Sequence, residues 1–173
     1  MTGKQIALLR RELWEHRAIY VAPLVIALIV TMMSITGQVA ISAFDHVVDM
    51  AILGATNIGE TERSSALTVL LTSMSSVFVL TMWVVIIFYT LDCLYSERKD
   101  KSILFWRSIP VTDAETVTSK LLTALFVIPA ITFAVIIVTH LAVLGVSSIW
   151  IEIRGADAFH LLWRAAPLLD NWT

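Results

Sequence analysis

Charge is what this sequence has least of. Asp, Glu, Lys and Arg make up 15% of its 173 residues, where a soluble domain carries about 25%. Apolar residues reach 58%. The scarcity is also uneven: Ala18–Phe44, Ser64–Leu91 and Leu121–Ile151 contain no charged residue at all. An ordinary water-soluble domain is excluded. A single cysteine, Cys93, excludes an internal disulfide. There is no GxxxxGK[ST] run, so the chain does not cradle nucleotide phosphates by that device. No carboxylate lies within the charge-free stretches, and they hold one histidine, His140. That is too little for an intramembrane protease, which needs a nucleophile, base and orienting group on facing helices. His16, His46, His140 and His160 are spread over different depths of the expected topology, so no metal-ligand set is assembled from them. No catalytic, cofactor-binding or metal-binding residue is expected, and no nucleic-acid partner. No internal repeat, low-complexity tract or Gly/Ser linker divides the chain, so 1–173 reads as one membrane domain.

What is present fits a bilayer. Each charge-free stretch exceeds the roughly 20 residues that cross a hydrocarbon core about 30 Å thick. A backbone in lipid must satisfy its own hydrogen bonds, which such runs do as helices. The expected fold is therefore all-α and polytopic, with spans at 18–44, 64–91 and 121–151, tilted or protruding at their ends. Pro23 falls in the first turns of its span, where a missing N–H costs little, whereas Pro129 lies deeper and is expected to kink the third span. Ser73, Ser75, Ser76 and Thr81 read as small contacts that let helices approach. Met32, Met33, Met74 and Met82 read as packing. The first span is not taken as a cleaved signal. Its apolar run is longer than the usual 7 to about 15 residues, and Glu12 and Glu15 precede it.

Lys and Arg favour the cytoplasmic ends of spans. The segments outside the spans carry, in order, four, one, five and two such residues: Lys4, Arg10, Arg11 and Arg17; then Arg63; then Arg98, Lys99, Lys101, Arg107 and Lys120; then Arg154 and Arg164. The alternation places the N-terminus and the 92–120 loop in the cytoplasm, with the first loop and the 152–173 tail outside. In the outer loop, Asp45–Leu53 reads as a short helix, and Gly54, Asn57 and Gly59 as turn formers. Residues 1–17 read as an amphipathic helix. Leu9 and Leu13 lie with Ile6 on one stripe, joined by Trp14, while Arg10, Arg11, Glu12 and Arg17 sit largely on other faces. Such a helix suits the headgroup plane, either as a topology anchor or as a lever on the first span.

The 92–120 loop holds the densest charge, interleaved with Ile103, Leu104, Phe105 and Trp106. Ser96–Trp106 can form one helix, Pro110 ends it near Ser108, and "TDAE" (Thr112 to Glu115) supplies a capping box that restarts a helix through Lys120. The four apolar residues form either a docking patch rimmed by charge or an interfacial belt.

The run "ERKDKSILFWRSIPVTDAETVTSK", from Glu97 to Lys120, resembles the first cytoplasmic loop of permeases of the type-2 ATP-binding-cassette (ABC) transporter family. Glu97 and Arg98 match the pair that ends the second span there. Ser108, Pro110, Val111 and Thr112 match the break, and Lys120 the end of the return helix. "RRELWEHR" resembles the elbow helix of that family. The likeness covers residues 4 to about 150. It departs at Lys101, where a glycine or small residue is common, and in having three spans rather than six.

The resemblance implies a permease subunit of an ATP-driven exporter in the cytoplasmic (inner) membrane, not itself an enzyme. ATP would be bound and hydrolysed by an ABC ATPase partner, and no cofactor by this chain. Glu97, Arg98 and Asp100 would pair with ATPase charges, Phe105 and Trp106 would fill a groove beside Arg107 and Pro110, and Leu9, Arg10, Leu13 and Trp14 would form the elbow. The likeness also leads us to expect the N-terminal half of a six-span permease, working with a second half or copy in the bilayer. A scaffold or regulatory subunit using the same docking loop is the alternative. His140 is either part of a pathway or a neutral ring bonded to Ser or Thr of a neighbouring helix. Asp92 is expected to be hydrated or salt-bridged, and Cys93 inert.

Overall fold

The computed structural model describes residues 3–42, 45–99, 113–166 and 168. Among these there is no strand. Helix α1 is Gly3–Glu15, α2 Ala18–Ser42, α3 Asp45–Asn57 and α4 Glu60–Lys99. After the undescribed segment, α5 is Asp113–Leu122, followed without a break by a π turn, Thr123–Val127, and by α6, Ile128–Ile153. A second π turn covers Phe159–Trp163.

Three helical stretches are long and apolar enough to cross a membrane: Ala18–Ala40, Glu60–Cys93 and Ala114–Ile153. Only 11%, 17% and 28% of the most apolar window in each is buried within the protein. Leu28, Met33, Leu80, Phe88 and Phe126 are each at least 60% exposed. An apolar surface this extensive is stable in lipid and not in water. Met32 and Met33, expected as packing, face outward, whereas Met82 lies against a core cluster.

The helices overrun the charge-free stretches. α4 begins at Glu60, where Glu60 and Glu62 meet the positive end of the helix dipole. It continues past Asp92 to Lys99, because no Gly or Pro interrupts the ladder there. Ser96–Lys99 thus extend the second span rather than opening a separate loop helix. α3 reaches Asn57, so Gly54 is helical and not a turn former, while Ile58 and Gly59 make the break. α6 closes at Gly155, whose φ of 78° suits glycine. Gly155 N–H donates to Glu152 C=O at 2.9 Å and Ala156 N–H to Ile151 C=O at 3.2 Å, the paired bonds of a Schellman end.

The prolines act differently. Pro23 lies in the second turn of α2 and is buried, so the carbonyl of Ile19 loses its usual donor. Pro129 follows the π turn directly, and Ile128 N–H donates to Thr123 C=O five residues back. A proline ring clashes with the carbonyl four residues earlier, here Leu125. The widened turn is how that clash is relieved, and π turns commonly mark such positions.

Contacts divide the chain into two compact units. The first comprises Met1–Val25 and Phe78–Ala134. Its core is Ile19, Val85, Tyr89, Cys93, Ala124 and Ile128, flanked by Leu13, Ala22, Met82, Ile86 and Ile131. α1 packs on α5 within it. The second comprises Ile26–Val77 and Val135–Thr173. Leu71, Ile136, Val143, Leu144, Ala158 and Leu161 are buried there, and Gln38 Nε2 donates to Ser147 Oγ at 2.7 Å across two helices.

A candidate functional site where α1 meets two spans

The most organised polar group in the first unit is centred on Glu12. α1 turns this carboxylate inward, where the residue is 3% exposed. Tyr89 of α4 donates its hydroxyl to Glu12 Oε2 at 3.0 Å. Lys120 of α5 places Nζ 3.6 Å from Glu12 Oε1 and 2.9 Å from Cys93 Sγ of α4. His16, in the turn after α1, stands edge-on to Tyr89 with ring centroids 5.0 Å apart. Its Nε2 lies 3.8 Å from Glu12 Oε2 and its Nδ1 3.3 Å from Asp92 Oδ2.

A buried carboxylate is tolerated only when charge and hydrogen bonds replace water, and here the replacements come from α4, α5 and the turn after α1. No three His, Cys, Asp or Glu side chains among the described residues are placed to hold a metal ion. These contacts fasten α1 to both α4 and α5, the helices at the two ends of the 92–120 segment. The Lys120–Cys93 contact joins the two ends of that segment directly.

The residues expected to matter are placed as follows. Leu13 packs against the core and Leu9 is half-buried. Trp14 is 73% exposed, with the Arg10 guanidinium 5.5 Å from its ring centroid. Glu12, read as part of the polar side, instead shares the buried stripe, being three residues from Leu9 and four from His16. Glu97 and Arg98 lie on the helical end of α4. Asp100, Phe105, Trp106, Arg107 and Pro110 lie outside the described residues, as does Thr112 of the expected capping box, though α5 does begin at Asp113. Asp92 is both exposed and paired, as expected. Cys93 is buried against the Lys120 ammonium.

In the second unit His140 is fully buried. Its Nε2 is 3.3 Å from Ser75 Oγ on α4, and the ring also hydrogen-bonds the backbone of Leu71. Of the small polar residues expected to mediate packing, Ser75 meets another helix. Ser73 and Ser76 are exposed and bond carbonyls of their own helix. Arg63, read as the one basic residue of its loop, donates to the carbonyls of Ala55 at 2.6 Å, Ile58 at 3.2 Å and His160 at 3.3 Å. It thereby clamps the α3–α4 break onto the segment after α6. Arg164 adds an ion pair to Glu60 at 3.4 Å.

Comparison of the chain with protein-family models, with curated proteins and with solved structures returns no match.

Proposed function

We propose that this chain is a membrane-spanning permease subunit of an ATP-driven exporter of the type-2 ABC class, working with a separate ABC ATPase and with a second permease half or copy. The observation that carries the reading is the Glu12 knot. A coupling element must convert a push on a loop into movement of spans, and a loop with slack ends would absorb the push. Here Cys93 and Lys120, near the two ends of the loop, are in contact, and Glu12 and Tyr89 fasten them to α1. Displacement of the loop would therefore move α1 and the ends of α4 and α5 together, as hinge and rigid-body transitions require. In this reading α1 is the elbow helix, with Arg10 and Trp14 in the headgroup plane. The N-terminus is cytoplasmic, and Glu97, Arg98, Asp100, Phe105, Trp106, Arg107 and Pro110 meet the ATPase.

The alternative, a scaffold or regulatory subunit, draws support from His140, which is fully buried with its ring bonded to Ser75 and Leu71. Two measurements on the membrane-embedded protein separate the readings. Lys99 and Lys101 should resist an impermeant amine reagent in intact cells and react after permeabilisation. Glu97→Lys and Trp106→Ala should reduce co-purification of an ABC ATPase and its stimulation by the permease. Exterior labelling of those lysines would overturn both readings. Partner binding with no effect on ATP hydrolysis would leave the scaffold.

A further inference from the structure

A cleft of about 590 Å³ opens in the first unit between the start of α2 and α4, within the range of roughly 300–1,000 Å³ typical of ligand sites. Its cause is local. Ala18 and Ala22, four residues apart on one face of α2, are too short to fill the space opposite Val84, Phe88 and Leu91. Those three side chains are 51%, 68% and 60% exposed, so the walls are apolar and open to the membrane. One end is polar. Asp92 and His16 line it, and Tyr95 stands one turn beyond Asp92 on the same helix. The Asp92 side chain is 59% exposed even though His16 lies 3.3 Å away, so the carboxylate still has room to accept another donor.

An apolar trough ending in an accessible carboxylate and an aromatic ring matches an amphiphile with a hydrocarbon tail and a cationic head. The bilayer itself supplies such a molecule. The trough lies on helices that cross the membrane, and Asp92 is the first charged residue after a charge-free run of α4, where headgroups begin. We propose that this cleft binds a phospholipid with an ethanolamine headgroup. One acyl chain lies along Ala18, Ala22, Val84 and Phe88, and the primary ammonium donates to Asp92 and rests against Tyr95. An ammonium donates hydrogen bonds that a choline headgroup lacks, and a glycerol headgroup brings no cation. A face of an aromatic ring adds cation–π attraction. The inference requires only that the chain sit in a membrane, not that it transports anything.

The test is lipid retention by the full chain, purified from nanodiscs containing equal parts phosphatidylethanolamine, phosphatidylcholine and phosphatidylglycerol, read by native mass spectrometry. Retained lipid should be mainly phosphatidylethanolamine. Asp92→Asn should reduce that preference by roughly fivefold, the contribution of one ion pair at a part-exposed site. Ala22→Phe, which fills the trough, should abolish retention of all three lipids, with circular dichroism confirming that both variants remain helical. If Ala22→Phe loses its helicity, Ala18→Leu serves as the trough-filling variant under the same criterion. Equal retention of the three lipids, preference for the anionic or choline lipid, or indifference to both substitutions would overturn the proposal.

Discussion

Replacing Glu12 is the sharpest perturbation of this structure, because one carboxylate serves partners on two other helices. In Glu12→Ala the buried Tyr89 hydroxyl loses a charge-assisted hydrogen bond, a contact worth about 1.5–3 kcal/mol. Lys120 loses the carboxylate 3.6 Å away. Stripping one partner from a buried ion pair costs about 3–5 kcal/mol when the remaining charge has no escape. Lys120 is 18% exposed at its side chain and keeps Cys93 as a partner. The total therefore belongs near the lower bound, about 3 kcal/mol. Glu12→Gln keeps an acceptor for Tyr89 and removes only the charge, so it should cost about half as much. In Glu12→Leu with Lys120→Met, both charges leave together, which is near neutral in itself, but the Tyr89 hydroxyl still loses its acceptor, so the pair of changes should cost about 1.5 kcal/mol. The assay is reversible unfolding in mixed micelles titrated with a denaturing detergent and followed by circular dichroism. The double-mutant cycle should give a coupling of about 2 kcal/mol. A Glu12→Ala cost within about 0.5 kcal/mol, as for an ordinary surface change, or strict additivity of the two single changes, would show that the knot holds nothing together.

Two further outcomes are expected of the second unit. A Cβ at Gly54 or at Gly155 would meet nothing within 4 Å, so alanine at each reports backbone conformation alone. Gly54→Ala, inside α3, should raise stability by about 0.5–1 kcal/mol, while Gly155→Ala, at φ 78°, should lower it by about 1–2 kcal/mol; thermal melts of the two variants moving in the same direction would refute this. Ser75→Ala removes the side-chain partner of His140 on α4. It should cost about 0.6 kcal/mol and no more than about 1.7 kcal/mol in the same detergent titration, the range for interhelical hydrogen bonds in membranes. A larger loss would mean that His140 depends on Ser75 alone and that the Leu71 contact contributes little.

What could be read from the residues, and what could not, divides by the distance over which the physics acts. A membrane span is a local property. Every residue from 64 to 91 lacks charge, and the cost of a charge in hydrocarbon fixes the outcome without reference to any other segment. The three spans were legible on that basis, whereas for His140 the residues left two readings open, a pathway or a bond to a neighbouring hydroxyl. Helix ends are also local but depend on breakers rather than on charge. α4 therefore overshoots its apolar run to Lys99, while Gly155 in "IRGAD" was a stop signal that charge counting passed over. The fate of Glu12 is neither local nor a matter of composition. Its partner Tyr89 is 77 residues away, and "RRELWEHR" taken alone assigns every charged residue to solvent. The helical spacing held the one available clue, since Glu12 falls on the Leu9–Leu13 side and His16 follows four residues later. A charge on an apolar stripe must either unfold the stripe or find a counter-charge, and Lys120 was the basic residue expected at the end of the return helix. Arg63 follows the same logic. A lone basic residue among acids looks like a solvated loop charge until the carbonyls left over at the end of α3 and after α6 are counted, for unsatisfied carbonyls near a membrane surface attract such a donor. The readable half of this protein is therefore its relation to lipid. The half that folding adds is the set of polar contacts by which one helix holds another.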